Sequence, residues 1–434
     1  MSIIAKFKAL AKGKEVRGGS FLVISSVVAQ LVTLAVTPIL ARVYEANAFG
    51  YLTLVVSVTG MITPAVSLRL ESALMLPKRA EEASALLFLG LIAAASISIL
   101  SAIVLELLFR AGLFEAMARL PAFSAWVGGI TFFSGAFVVV GQFALRARNY
   151  AAVAIRNLTQ AVTTAFAQLG LAVVTPFALG LIGGYGAGRV AGVLPLVASV
   201  KGELRRFSYA DILQVAREYR AFPLLFAPAA LMNAAALSLP ILAAGLWFDV
   251  ADAGQWGMAE RILAVPLVII GTAVSQVVEA RLALHVRTDR AGSAAYYLKV
   301  SFLLLAASLV IGLMIFVLAP VLIPIILGPG WSDASFIMQL LIPMLMTRLI
   351  ASPLSKALIV ANWAKLNLLL DASRLILVVL VLAMCWSSDA TMEQLVLSVS
   401  VVFAIVYAAT WFAGLAAVRR LDRGNQQLHL IVRE

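Results

Sequence analysis

Twelve apolar runs, each about 20 residues long, dominate this chain. Each run is apolar on all sides and long enough to cross the ~30 Å hydrocarbon core of a bilayer as an α-helix. Hydrocarbon offers no hydrogen-bond partner to a backbone, and the ten-residue alternating strands typical of a membrane barrel are not found here. The sequence therefore predicts an all-α polytopic membrane protein. The predicted spans are 20–41, 50–68, 84–108, 122–145, 152–175, 177–199, 221–246, 261–280, 297–318, 335–358, 363–386 and 392–418.

The composition excludes several other classes of protein. Hydrophobic residues make up 63% of the chain and charged residues 12%, whereas a soluble domain has about half and a quarter. The single cysteine, Cys385, lies inside an apolar run, so we expect neither a disulfide framework nor a metal-ligand cluster. The segment GGYGAG (183–188) lacks the Lys-Ser/Thr of a phosphate-binding loop. We therefore expect no cofactor, no metal site and no enzymatic activity.

The lysines and arginines predict how the chain is oriented. With the N-terminus placed in the cytoplasm, 26 of the 33 fall on the cytoplasmic side, four fall outside and three fall within spans. Positive residues favour the cytoplasmic side of membrane proteins. We therefore predict a multi-pass membrane protein with both termini cytoplasmic. The same asymmetry explains the net charge of +12 without a nucleic-acid partner.

Short stretches of the first half recur in the second half in the same order. Six spans per half would give both halves the same orientation, so the repeat is parallel and favours two six-helix lobes around a central cavity. In the first copy, Pro38 and Gly50 are predicted to end one span and start the next. The matches are TPILA (37–41) with LPILA (239–243), ANAFGY (46–51) with ADAGQWGM (251–258) and SLRLESAL (67–74) with SQVVEARL (275–282). The predicted segments are an N-terminal lobe (1–199), a cytoplasmic amphipathic connector (200–220), a C-terminal lobe (221–418) and a cytoplasmic tail (419–434).

Three stretches around these repeats also carry a family likeness, namely ILARVYEANAFGYLTL (39–54), SLRLESALMLPKRAEEASAL (67–86) and residues 217–283. The chain resembles the polysaccharide repeat-unit (Wzx-type) flippases of the multidrug/oligosaccharidyl-lipid/polysaccharide exporter (MOP) superfamily. The resemblance implies alternating access and transfer of an undecaprenyl-diphosphate-linked oligosaccharide to the periplasmic leaflet, for O-antigen, exopolysaccharide or capsule assembly. It implies a cationic cavity for the headgroup. The implied partners are this lipid-linked oligosaccharide, membrane lipids, a polysaccharide polymerase and glycosyltransferases.

Three arginines inside predicted spans need an explanation: Arg189, Arg348 and Arg374. An isolated arginine at the bilayer centre costs about 2.5–3.5 kcal/mol on insertion scales, so each should face water, a partner or a ligand. Arg374 follows Asp371 by three residues, which favours a neutralising pair on one helix face. The other two have no acidic residue within four positions. They either find partners on other helices or face the cavity and bind diphosphate through the guanidinium fork.

Other charged residues are assigned to the two mouths of the cavity. Arg42, at the predicted outer mouth, and Arg156, near the cytoplasmic face, complete the predicted substrate-binding set. A second set of charged residues is predicted at the cytoplasmic face. These residues anchor the orientation of the chain, capture the headgroup or close a gate, the last through a pair of glutamate and arginine that occurs once in each half. The members of this set are Arg69, Glu71, Lys78, Arg79, Glu279 and Arg281.

Several alternatives remain open. A cation-coupled multidrug antiporter of the same superfamily typically carries an acid in its first helix, and residues 20–41 contain none. A peptidoglycan-precursor flippase typically has fourteen spans rather than twelve. A non-transporting scaffold of polysaccharide assembly would need no central arginines. A membrane polymerase or ligase usually has a large outer loop, whereas the longest here, 247–260 and 319–334, are short.

Overall fold

The computed structural model describes residues 14–174, 177–287, 292–361 and 363–431, and these residues form α-helices joined by short turns. Eleven helices in this part of the chain are long and apolar enough to cross a membrane. The predicted all-α polytopic fold is therefore confirmed. The remaining predicted span, 152–175, coincides with the helix Tyr150–Val174, whose several polar side chains make it less apolar than the others.

The chain divides into two compact units. The first comprises Met1–Ala234 with Gly245–Gly254, and the second comprises Ala235–Ala244 with Gln255–Glu434. The first unit thus extends past residue 220 and takes a short segment, Gly245–Gly254, from the second half of the sequence. The lobe boundaries given above stay predictions. The helices of the first unit are α1 (Lys14–Val43), α2 (Ala46–Val66), α3 (Leu70–Ala73), α4 (Ala80–Arg110), α5 (Glu115–Ala118), α6 (Phe123–Arg146), α7 (Tyr150–Val174), α8 (Ala178–Val200) and α9 (Tyr209–Glu218).

Two helices contribute residues to both units: α10 (Ala227–Trp247), which follows a π-helical turn at Phe222–Phe226, and α11 (Val250–Arg287). The remaining helices belong to the second unit, with a short 3-10 turn at Pro329–Trp331. They are α12 (Ser293–Leu327), α13 (Ser332–Leu340), α14 (Ile342–Leu354), α15 (Lys356–Val360), α16 (Ala364–Ser387) and α17 (Met392–Ile431).

The first turn differs from its prediction. Helix α1 continues through Pro38 to Val43, and α2 begins at Ala46 rather than near Gly50. Gly50 lies inside α2 and packs so closely on the first residue of α11, Val250, that a Cβ atom would overlap the Val250 carbonyl oxygen. This glycine therefore serves helix packing rather than the start of a helix.

Helix α11 begins eleven residues earlier than the predicted span at 261–280. Its start is fixed by two aspartates: the Asp249 backbone N–H donates to Asp252 Oδ2 at 3.1 Å, and the Ala251 N–H donates to Asp249 Oδ1 at 3.2 Å. Such acidic caps satisfy the free N–H groups of a first turn. Glu260, at the end of the predicted outer loop 247–260, consequently lies inside the helix.

Within the connector at 200–220, the helix α9 covers Tyr209–Glu218. Ser208 and Asp211 form a capping box at its start, and hydrogen bonds from the backbone and the hydroxyl of Ser208 lower the pKa of Asp211. Val215 and Tyr219 are buried in the core of the first unit, whereas Leu213 on another face is exposed. The amphipathic pattern therefore attaches the connector to the helices of the first unit.

Candidate functional site

Arg156 of α7 points at α6 in the first unit. Its Nη1 donates to the carbonyl of Phe137 at 2.9 Å, and its Nε donates to Asn157 Oδ1 at 3.2 Å. Its guanidinium carbon lies 3.8 Å from the centroid of the Phe137 ring, a cation–π distance. Gly141, one turn beyond Phe137, leaves the room that the guanidinium occupies, since a Cβ atom there would overlap Nη1.

Arg189 of α8 approaches the same ring. Its guanidinium carbon is 5.7 Å from the Phe137 centroid and 5.1 Å from that of Tyr185. Its Nη2 donates to the Tyr185 hydroxyl at 2.6 Å, whereas its buried Nε has no hydrogen-bond partner among the described residues. The guanidinium fork therefore retains an unsatisfied donor.

Arg156 and Arg189 together form the candidate site, which we call the arginine pair. Because both lie near one ring centroid, their guanidinium carbons are at most 9.5 Å apart, the sum of the two distances. In the described part of the chain neither arginine forms an ion pair with an aspartate or glutamate. Two like charges that repel each other without a carboxylate between them favour an anion with at least two negative charges. This arrangement can bind a diphosphate or a similar group.

The close packing of α7 on α8 holds the arginine pair. Gly188, the neighbour of Arg189, packs against Gln160 and Thr164 of α7 with no room for a side chain. Small residues of this kind let membrane helices approach closely. Arg156 and Arg189 belong to one predicted substrate-binding set, and the glycines of α8 are the sequence signal for the close packing that brings them to the same ring.

Arg348 lies elsewhere, in a cavity of the second unit. This cavity of about 170 Å³ is lined by α11, by Leu341 and by α14, and its two charged lining residues are Arg348 and Glu260. The Glu260 carboxylate is close enough to Arg348 to interact with it electrostatically. The expectation of a partner on another helix therefore has a candidate in Glu260, which is not apparent from the sequence because it falls in the predicted outer loop 247–260.

The other two arginines of the predicted substrate-binding set differ from the arginine pair. Arg374 is 7% exposed, and its Nη1 lies 3.3 Å from Asp371 Oδ1, the neighbour predicted to neutralise it. Its guanidinium carbon is 4.9 Å from the Tyr407 ring centroid. Arg42 is exposed in the last turn of α1. Neither residue lines the cavity of Arg348.

In the first unit, the predicted gate residues hold local structure. Arg69 and Glu71 form an ion pair at 3.4 Å, and the hydroxyl of Ser67 donates to Glu71. Arg79 lies within 3.7–3.8 Å of three carboxylates, and Lys78 is exposed. The carboxylates around Arg79 are those of Glu81, Glu82 and Asp211.

The matching pair of the second unit is not formed. Glu279 instead lies 3.8 Å from Lys356, and the Arg281 guanidinium carbon lies 4.7 Å from the Tyr296 ring centroid. Residues two apart in a helix point to different sides, so Glu279 and Arg281 cannot face each other in α11. Arg69 meets Glu71 because its own backbone is left-handed, with φ of 61°. The second unit therefore does not repeat the Arg69–Glu71 contact, and the gate role of Glu279 and Arg281 stays a prediction.

Among the described residues, no group of three histidine, cysteine, aspartate or glutamate side chains is arranged to hold a metal ion.

Comparison with known proteins identifies a family and a fold. The sequence profile described as "Polysaccharide biosynthesis protein" matches residues 39–336, more than half of the chain. No curated protein matches significantly in sequence.

Solved structures with the same fold are transporters and a flippase. An inward-facing multidrug resistance MATE family transporter of the MOP superfamily has a TM-score of 0.68 at 13% identity, covering 91% of this chain and 96% of that one. The lipid II flippase MurJ, in an inward closed conformation, has a TM-score of 0.68 at 12% identity, covering 95% and 92%. A MOP superfamily transporter from Pyrococcus furiosus has a TM-score of 0.58 at 13% identity, covering 95% and 98%. At these identities the likeness establishes the fold alone, the one that these transporters and the flippase share.

Proposed function

The chain belongs to the polysaccharide biosynthesis protein family, and from this premise we propose that it flips an undecaprenyl-diphosphate-linked oligosaccharide from the cytoplasmic to the periplasmic leaflet. The product is the repeat unit of an O-antigen, exopolysaccharide or capsule. The two lobes open the binding cavity alternately to the cytoplasmic and the periplasmic side. The bacterial inner membrane is the proposed location, with both termini cytoplasmic, and a polysaccharide polymerase and glycosyltransferases are the proposed partners.

The observation that carries this proposal is the arginine pair. Arg156 and Arg189 share the Phe137 ring and have no carboxylate partner in the described chain. A diphosphate presents several oxygens to the two guanidinium groups and neutralises both. For the Pyrococcus furiosus transporter of the same fold, the reverse polarity of its binding pocket suggests a different function. In this chain, the positive charge of the arginine pair suits an anion.

The membrane potential can supply part of the driving force. An anionic headgroup carried outward moves toward the positive side of the membrane, and each negative charge gains about 2.3 kcal/mol per 100 mV. The proposed transport therefore requires no nucleotide site.

A cation-coupled multidrug antiporter is the second candidate function. The fold similarity to a MATE family transporter supports it, as does the presence of Glu260 within a span. However, the described residues of α1 include no acid beyond residue 20, and Glu260 and Asp371 each lie beside an arginine. An arginine beside each acid disfavours binding of an organic cation.

One reconstitution separates the two candidates. The purified protein is reconstituted in liposomes for two assays. The first follows a fluorescent undecaprenyl-diphosphate oligosaccharide, and the second follows ethidium under a proton or sodium gradient. We expect the glycolipid to become accessible in the opposite leaflet and ethidium to stay in place. Ethidium transport without glycolipid flipping would overturn the proposal in favour of the antiporter. Movement of neither substrate would favour a non-transporting scaffold.

Gly141→Ala tests the position of the Arg156 guanidinium without removing its charge. The new methyl group overlaps Nη1, the mobile end of a long side chain, so the guanidinium moves aside while the fold changes little. We expect the rate of flipping to fall about threefold or more and the thermal unfolding midpoint to stay within a few degrees. Gly129→Ala, on the same helix with open space around it, is the matched control. Equal rates for the two variants would contradict the assigned position of Arg156.

A further inference from the structure

The cavity of the second unit holds one cation and one anion on otherwise apolar walls. Glu260 projects from α11 and Arg348 from α14, and both side chains are half-buried. No ion pair within 4.0 Å joins them in the described part of the chain. The other lining residues are Leu263, Ala264, Leu267, Val268, Leu341, Met344 and Leu345.

Walls of this kind leave the two charges poorly screened. Glu260 and Arg348 therefore influence each other and any charged group that enters more strongly than they would in water. Each charge alone would cost several kcal/mol inside a membrane span, and together they compensate. The cavity that both residues line has a volume of about 170 Å³.

We propose that Glu260 is the resident counter-anion of Arg348, which weakens the binding of an anionic substrate group there so that the substrate can be released. This role rests on the proposed function, because it takes Arg348 as a transient contact for the diphosphate headgroup. Glu260 attracts the guanidinium while the cavity is empty and repels the headgroup when it arrives. A transporter must release its cargo, so a permanent acid beside the binding cation limits how long the anion stays.

The proposal predicts an effect opposite to that of an ordinary contact residue. Glu260→Gln removes a lining charge but should tighten anion binding about tenfold, because neutralising the acid removes one unit of repulsion in a poorly screened cavity. Arg348→Gln should weaken binding instead. In the double variant the tightening should disappear, since Glu260 acts on the ligand at Arg348.

The test uses the full-length protein purified in detergent, with geranylgeranyl diphosphate as the probe and calorimetry to measure Kd. Glu106→Gln, which removes the acid paired with the exposed Arg110 in the first unit, is the matched control and should leave Kd unchanged. If Glu260→Gln is not recovered folded, Glu260→Met, which suits the apolar lining, gives the same test. In liposomes, Glu260→Gln should flip the glycolipid more slowly than the wild type, because the variant releases the headgroup more slowly.

The outcomes separate this proposal from the proposed function. An unchanged or weaker affinity in Glu260→Gln, in a wild-type protein that flips glycolipid, would overturn the role of Glu260 alone. Tightening that persists in the Arg348→Gln background would also overturn it, because the acid would then act elsewhere. A wild-type protein that neither binds the diphosphate nor flips glycolipid would overturn both.

Discussion

Arg189→Ala is expected to lower the rate of glycolipid flipping at least tenfold while leaving the protein folded. The substitution removes a guanidinium whose Nε has no hydrogen-bond partner among the described residues and which contacts Tyr185 and the Phe137 ring. A hydrogen bond to a charged group contributes about 1.5–3 kcal/mol, and a diphosphate can accept more than one. Loss of one such bond corresponds to roughly a tenfold to hundredfold change.

Lysine at the same position separates charge from geometry. Arg189→Lys keeps the positive charge but loses the planar fork, so we expect a rate between those of the wild type and Arg189→Ala. Arg156→Ala should lower the rate similarly, and the double variant should lose little more than either single variant, because the two arginines bind one headgroup. The initial rate of flipping in liposomes with matched protein content measures all four variants.

Arg110→Ala is the control for loss of an arginine. Arg110 is exposed at the end of α4 and pairs only locally, with Glu106 at 3.1 Å. Its removal should leave the flipping rate unchanged, since exposed pairs contribute little. Wild-type rates in both Arg189→Ala and Arg156→Ala, with intact gel-filtration profiles, would show that the arginine pair does not bind the headgroup.

The helical fold was predictable because its physical cause is local. Hydrocarbon requires every spanning segment to satisfy its own backbone, so the run of apolar residues identifies each span without knowledge of its neighbours. Helix ends were less predictable, since they depend on capping. Helix α11 begins at Val250 because Asp249 and Asp252 cap it, and this acidic spacing was readable in the sequence.

The candidate site was predictable only in part because it depends on packing between helices. Arg189 and Arg156 were both candidates from the sequence, but only the packing of α7 on α8 shows that both approach the ring of Phe137. Glu260, the partner of Arg348 in the cavity, could not be predicted for the same reason. Glu260 is 88 residues away in sequence, and no periodicity within one helix relates the two.

The second large effect is expected at Gly50, where α2 crosses the start of α11 in the first unit. A Cβ atom at Gly50 would overlap the backbone carbonyl oxygen of Val250, and one at Gly254 would overlap that of Ala46. A backbone atom cannot move aside as a side-chain end can, so the whole crossing must open. Overpacking of this kind typically costs 1–3 kcal/mol and sometimes more.

Gly50→Ala should therefore destabilise the protein, although alanine favours a helix over glycine by about 1 kcal/mol. Gly60 lies ten residues further along the same helix with open space around it. Gly60→Ala therefore gains helix propensity without a clash and should leave stability unchanged or raise it. Thermal unfolding followed by intrinsic fluorescence in detergent compares the two, and we expect the midpoint of Gly50→Ala to fall by several degrees below that of Gly60→Ala. Both variants replace glycine by alanine in the same helix and so share the same gain in helix propensity. The difference between their unfolding midpoints therefore measures the effect of the helix crossing. If both variants shifted the midpoint equally, α2 and α11 would not meet at Gly50.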